Sequence, residues 1–120
     1  MTSVLETLKR VRGIIDTPEK WCQGFDAVDA HGNMVHPTSP DACRRCIWGA
    51  VIAAYSDFTP YEGYPPAILA LRDTMARESL PGYGPACFND NHSHAEMLDL
   101  IDRTIAHLES EQQAPCPNDT

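Results

Sequence analysis

Long apolar stretches are what this chain has least of. Nothing in its 120 residues approaches the roughly 20 consecutive apolar positions that a membrane-spanning helix needs, so no membrane role is expected. The opening MTSVLETLKRVR is amphipathic and lacks the charged-then-apolar order of a secretion signal, which makes the cytoplasm the expected location. Basic residues are scarce too: 9 Lys and Arg against 17 Asp and Glu leave a net charge of −8 at pH 7. A chain of that balance repels phosphate backbones, and direct nucleic-acid binding is not expected. There is no internal repeat. Gly82-Tyr83-Gly84 lacks the Lys-Ser or Lys-Thr of a phosphate loop, and neither a Gly-x-Ser-x-Gly elbow, a His-Glu-x-x-His motif nor a calcium loop occurs. The 5 cysteines (Cys22, Cys43, Cys46, Cys87 and Cys116) are an odd number without a secretion signal, so reduced thiols behaving as small hydrophobes are the starting expectation.

What is present suits one small globular domain. Apolar residues make up 42% and charged residues 22% of a length sufficient for a single core. The domain is expected over residues 1–111, with 112–120, rich in proline and without periodicity, as a flexible tail exposing Cys116. Ser3 and Glu6 form a capping box that opens a helix through about Asp16, with Val4, Leu8, Val11 and Ile15 on one stripe. Thr17-Pro18-Glu19 starts a short helical turn carrying Trp21. Phe25 and Val28, then Asp29-Ala30-His31-Gly32-Asn33, then Met34-Val35 read as a small β-hairpin.

Ser39-Pro40-Asp41 repeats the helix-start signal and predicts a helix to about Tyr55, its apolar face formed by Cys43, Cys46, Ile47, Ala50, Val51 and Ala54. Ser56 to Tyr64 has no helical or alternating order and is expected to be a surface loop. Pro65-Pro66 starts a helix through about Ser79, buried along Ile68, Leu71 and Met75. Asn89-Asp90-Asn91-His92 is expected as loop, followed by a second capping box, Ser93 with Glu96. That box opens a helix with Met97, Leu98, Ile101, Ile105 and Leu108. The predicted fold is therefore mainly α with a small β-hairpin, a compact bundle of about four helices. The first helix is basic on its polar side and the last is acidic, which suggests that the two pack together.

Three constellations carry possible chemistry. Cys43-x-x-Cys46 on one helix would present two thiolates one turn apart, half of a tetrahedral zinc site, with Cys87, His92 and His94 as the nearest further ligands. No cofactor is favoured and zinc is the alternative, because zinc ligands usually sit on turns rather than in an apolar helix. A redox reading of the same motif lacks the strand-then-helix context. In the second, His94 would activate Cys46, with Asn89 or Asp90 orienting the imidazole, for acyl or thiol transfer; against this, the predicted burial of Cys46 would raise its pKa and close it to substrate. The third is a binding surface: Tyr55, Phe58, Tyr61 and Tyr64 occupy a Pro- and Gly-containing stretch in which they cannot all be buried.

The chain also resembles a family of short bacterial and phage-associated proteins of unknown function. The residues carrying the resemblance are Pro18-Glu19-Lys20-Trp21 with Gln23-Gly24, Asp29 with Gly32, Cys46-x-x-Gly49-Ala50, and Asn89-Asp90 followed by His94-Ala95-Glu96, Leu98, Asp102 and Ile105. The resemblance implies an α-rich fold that brings the Trp21 turn, the Cys46 helix and the Asn89 to Glu96 stretch together; it implies no activity, and Cys43 stands outside its pattern. The reading favoured on all counts is a non-catalytic protein-binding or accessory module, acting on a protein partner or as a homodimer, ahead of a small Cys/His enzyme or a zinc domain.

Overall fold

A computed structural model describes residues 3–55 and 65–113. Within them lie five α-helices and one antiparallel strand pair: α1 (Val4–Ile14), β1 (Ala27–Val28), β2 (Arg44–Arg45), α2 (Ile47–Ala54), α3 (Pro66–Arg77), α4 (Pro85–Asn91) and α5 (His94–Gln113), with a 3-10 turn at Pro18–Lys20. The mainly helical reading holds. The expected surface loop and most of the expected tail lie outside the described residues, and α5 continues to Gln113, past the expected limit of the domain.

Both serines cap their helices as expected, and the Ser93 box closes from both sides. Ser3 Oγ accepts from the Glu6 N–H at 3.1 Å, which starts α1. Ser93 Oγ accepts from the Glu96 N–H at 3.1 Å while Glu96 Oε1 accepts from the Ser93 N–H at 2.9 Å, so the first backbone donors of α5 are satisfied from both sides. α3 begins at a proline and has no side-chain cap of its own kind; the Tyr55 hydroxyl accepts from the Ala67 N–H at 3.3 Å instead.

The core gathers Leu8, Val11 and Ile15 of α1 and its cap, Ile47 and Val51 of α2, Ile68, Leu71 and Met75 of α3, Phe88 of α4, and Met97, Leu100 and Ile101 of α5. The apolar stripes therefore converge as their spacing predicts, with Leu100 buried and Leu98 only partly so. Inside it, the Thr74 and Thr104 hydroxyls meet at 2.8 Å and pin α3 to α5 through an otherwise apolar contact. The basic side of α1 does meet α5: Arg12 grips Asp102 with Nε at 2.8 Å, and Lys9 reaches Glu109 at 3.3 Å. These pairs are solvent-exposed, so they set orientation more than stability.

Two expectations are corrected. The helix foreseen from Ser39 starts only at Ile47. Ser39 closes a single turn, accepting from Asp41 N–H on its hydroxyl and from Ala42 N–H on its carbonyl. The Cys43 N–H then donates to the Val28 carbonyl at 2.8 Å and draws Arg44–Arg45 into register with Val28 and Ala27, so sheet pairing captures the chain before a helix can propagate. Cys43 is consequently exposed and shares no helical face with Cys46. Second, the stretch expected as loop at Asn89 to Asn91 is the end of α4, which starts at Pro85 after Gly84 (φ +138). Asparagine and aspartate are poor helix formers, and tertiary bonds to their side chains overcome that preference here.

The expected hairpin is real but incomplete as a description. Val28 bridges Met34, and Val35 N–H donates to the Ala27 carbonyl at 3.1 Å across the Asp29 to Asn33 turn. Asp29 Oδ1 accepts from both the His31 and Asn33 N–H groups at 2.9 Å, and Gly32 takes the positive φ (+83) that the turn requires. The other edge of β1 carries β2, and beyond β2 Trp21 pairs with Arg45 in parallel. β2 thus sits between β1 and the Trp21–Cys22 segment.

Candidate functional site

Asn89 is fully buried, and its amide is saturated. Its Oδ1 accepts from Trp21 Nε1 at 2.7 Å and from the Ile47 N–H at 3.0 Å; its Nδ2 donates to the Cys22 carbonyl and to Asp90 Oδ1, each at 3.1 Å. One side chain therefore ties the Trp21–Cys22 segment, the first turn of α2 and α4 to a common point. Asp90 extends the clamp, its Oδ1 also accepting from the Gly24 N–H at 2.9 Å, and Gly24 adopts a φ of +84 to present that N–H. Gln23 Nε2 closes the end of α4 by donating to the Asn89 and His92 carbonyls at 3.0 Å each. Placing asparagine in this position satisfies backbone groups that burial would otherwise leave unpaired.

On the far side of Trp21 stands His94, ring centroids 5.5 Å apart, its Nε2 donating to the Ile15 carbonyl at 2.7 Å. His92 stacks on Phe88 at 3.8 Å, and its Nδ1 donates to the Phe88 carbonyl at 3.0 Å. Both histidines thus face backbone carbonyls, which accept and never donate, so each of these nitrogens carries its proton.

Cys46 is the N-cap of α2, its sulfur accepting from the Gly49 N–H at 3.4 Å, with Asp26 Oδ1 4.0 Å away. Burial first, opposed by the Gly49 N–H and helped by the Asp26 charge, pushes its thiol up to about 11. Gly49 is required by contact rather than by conformation: a Cβ there would lie 1.9 Å from the Asp26 carbonyl oxygen, because the backbone leading into β1 rests directly on the first turn of α2. Cys22 is half-buried, its thiol donating to the Phe25 carbonyl at 3.4 Å. Its pKa is also raised, by burial first, with the Arg44 charge opposing and Asp90 and Asp26 adding to the rise.

Next to this clamp a groove of about 360 Å³ is lined by Gly24, Phe25, Asp26, Met34, Cys46, Trp48, Ala86 and Asp90. Phe25, ahead of β1, is 50% exposed and Met34, across from Val28, is 70% exposed, so two large apolar side chains stand open on the rim of one groove. The groove carries two carboxylates, and among the described residues no Lys, Arg or His lines it.

The sequence-derived candidates separate in space. Cys46 and Asp90 share the groove, and Asn89 supports it from behind. His94 contacts Trp21 and Ile15 rather than lining the groove. Of the proposed zinc ligands, Cys43 is exposed before β2, Cys87 and His92 belong to α4 and its cap, and among the described residues no group of three His, Cys, Asp or Glu side chains is gathered closely enough to hold a metal ion. Of the proposed aromatic anchors, Tyr55 is half-buried with its hydroxyl on α3, and Phe58, Tyr61 and Tyr64 lie outside the described residues. Phe25, Met34, Trp48 and Asp26 were not singled out as site residues, although the two apolar residues flanking a turn as polar as Asp29 to Asn33 were a signal.

Among the described residues no helix is long and apolar enough to cross a membrane. Neither the curated proteins nor the solved structures compared with the chain gave a match. A family model described as a family of unknown function, DUF6197, matches residues 1–107, and with nearly its whole length covered the chain belongs to that family.

Proposed function

We propose that this protein is a non-catalytic binding module whose groove between the β-hairpin and α2 takes a short segment of a partner protein, one presenting a lysine or arginine beside apolar side chains. The observation that carries the reading is the lining itself: exposed Phe25 and Met34, with Trp48, supply apolar contact area, and Asp26 and Asp90 supply negative charge. Exposed large apolar side chains around a concavity are the usual mark of an interaction surface, and an aromatic face beside carboxylates suits a cation on an apolar stem. The Asn89 clamp ties the segments behind the groove together, and such preorganisation would lower the ordering cost of association.

A basic partner is favoured over a second copy of the chain, because two molecules each at −8 repel and would bring carboxylates together. An enzyme using Cys46 is less well supported, since a thiol held near 11 contributes little thiolate at neutral pH. Peptide display against the reduced protein tests the proposal, with the double variant F25A/M34A as counter-selection. Enriched peptides should carry Lys or Arg next to an apolar residue and should be lost on the variant. Absence of enrichment, or peptides indifferent to F25A/M34A, contradicts it.

A further inference from the structure

The cysteine motif legible in the sequence joins Cys43 to Cys46, yet the fold gives Cys46 a different neighbour. Trp21 pairs with Arg45 in parallel, and the Cys22 N–H donates to the Arg45 carbonyl at 3.2 Å. Carried one step further, that register would set Cys22 beside Cys46, and paired residues of adjacent strands project to the same face. Cys46 keeps an extended backbone (φ −81, ψ 179), and the Cys22 charge acts on its thiol, which sets the two side chains near one another although the Trp21–Arg45 bridge itself is isolated. The sulfurs also converge on one short stretch of chain: that of Cys22 on the Phe25 carbonyl at 3.4 Å, that of Cys46 on the Asp26 carboxylate at 4.0 Å. Adjacent strands lie about 4.8 Å apart, inside the Cα separation of roughly 4.4–6.8 Å that a disulfide spans.

We propose that Cys22 and Cys46 are a modification site, a dithiol that closes to a disulfide by exchange with a small-molecule disulfide such as oxidised glutathione. Cys22, the more accessible of the two, attacks as thiolate; its sulfur bonds one glutathione sulfur and the other glutathione leaves as thiolate. Cys46 has little thiolate at neutral pH, which makes its step the slow one; after losing its proton to solvent it attacks the neighbouring Cys22 sulfur of the mixed disulfide, and the second glutathione leaves. The two protein thiols are oxidised by two electrons, the glutathione disulfide is reduced, and the two protons end on the departing thiols. The crosslink replaces the Cys22 S–H bond to the Phe25 carbonyl and joins the segment that leads into the Gly24–Asp26 wall of the groove covalently to the start of α2. The inference stands on the strand register and does not depend on what the groove binds.

The test is incubation of the folded, full-length chain with oxidised glutathione, quenching in acid, alkylation of remaining thiols and mass mapping of the peptides. The expected product has lost two hydrogens and contains Cys22 joined to Cys46; C43S forms it as wild type does, and C22S leaves Cys46 free. A Cys43–Cys46 crosslink, a mixed disulfide that stays on Cys22, or free Cys22 and Cys46 after exposed Cys43 has reacted would each overturn the proposal. Because C22S alters a half-buried position outside the core cluster, a far-ultraviolet spectrum identical to wild type confirms that its readout comes from a folded protein.

Discussion

Trp21 Nε1 donates to Asn89 Oδ1 at 2.7 Å across 68 positions of sequence, and the same oxygen accepts the Ile47 N–H that opens α2. A single amide thereby replaces water for donors from two distant segments. Removing it leaves the Trp21 indole N–H, the Ile47 N–H and the Cys22 carbonyl without this partner in a closed environment, at about 1–3 kcal/mol for each buried group left unpaired.

Asn89→Ala is therefore expected to lose about 3 kcal/mol of stability, a large share of what a domain of this size holds. Asn89→Asp keeps the shape but turns an acceptor toward the Cys22 carbonyl and Asp90 Oδ1, and should be destabilised as well. Urea denaturation followed by tryptophan fluorescence measures both. A change within about 0.5 kcal/mol, typical of an ordinary surface site, would mean that the network is not holding these segments.

Gly49 and Gly13 make an internal pair of opposite sign. Gly49→Ala places a methyl 1.9 Å from the Asp26 carbonyl oxygen, forcing β1 away from α2, and should cost roughly 1–3 kcal/mol or more. Gly13→Ala, exposed in α1 with nothing within 4 Å of the new methyl, should gain about 0.5–1 kcal/mol from helix propensity alone. Thermal melts of the two variants decide the matter; equal effects would show that the close approach at Gly49 is misassigned.

Cys46 gives a pH dependence with a definite sign. Its folded pKa of about 11 lies above the 9.0 of an unhindered thiol, so the unfolded chain ionises first as pH rises. The contribution is intact below 9.0 and is lost progressively up to about 11. The loss approaches 1.4 kcal/mol per pH unit, roughly 2–3 kcal/mol in total. Stability of wild type minus that of Cys46→Ala should fall across this window, and parallel curves would refute the assignment. At neutral pH iodoacetamide should label exposed Cys43 well before Cys46.

The helices were legible because capping boxes and apolar spacing are local signals: Ser3 with Glu6 and Ser93 with Glu96 act within one turn of chain. The Ser39 start signal misled because its neighbours Arg44 and Arg45 are claimed by β1, a pairing between residues far apart that no local pattern announces. Asn89 illustrates the same limit for the site. Its type marks a loop in isolation, and only the arrival of Trp21, Cys22 and Ile47 makes it a helical residue with every amide bond used. The resemblance did imply that these three regions meet, whereas the groove depends on the hairpin tip reaching Trp48 and so had no counterpart in the sequence.

The most direct measurement of the proposed role is amide chemical-shift mapping of the reduced protein titrated with the strongest peptide from the display selection. The account predicts shifts concentrated at Gly24 to Asp26, Met34, Cys46 to Trp48 and Ala86 to Asp90, weakened by salt and by Asp26→Asn. Shifts gathered instead around Tyr83 or along α5, with the groove resonances unmoved, would contradict it.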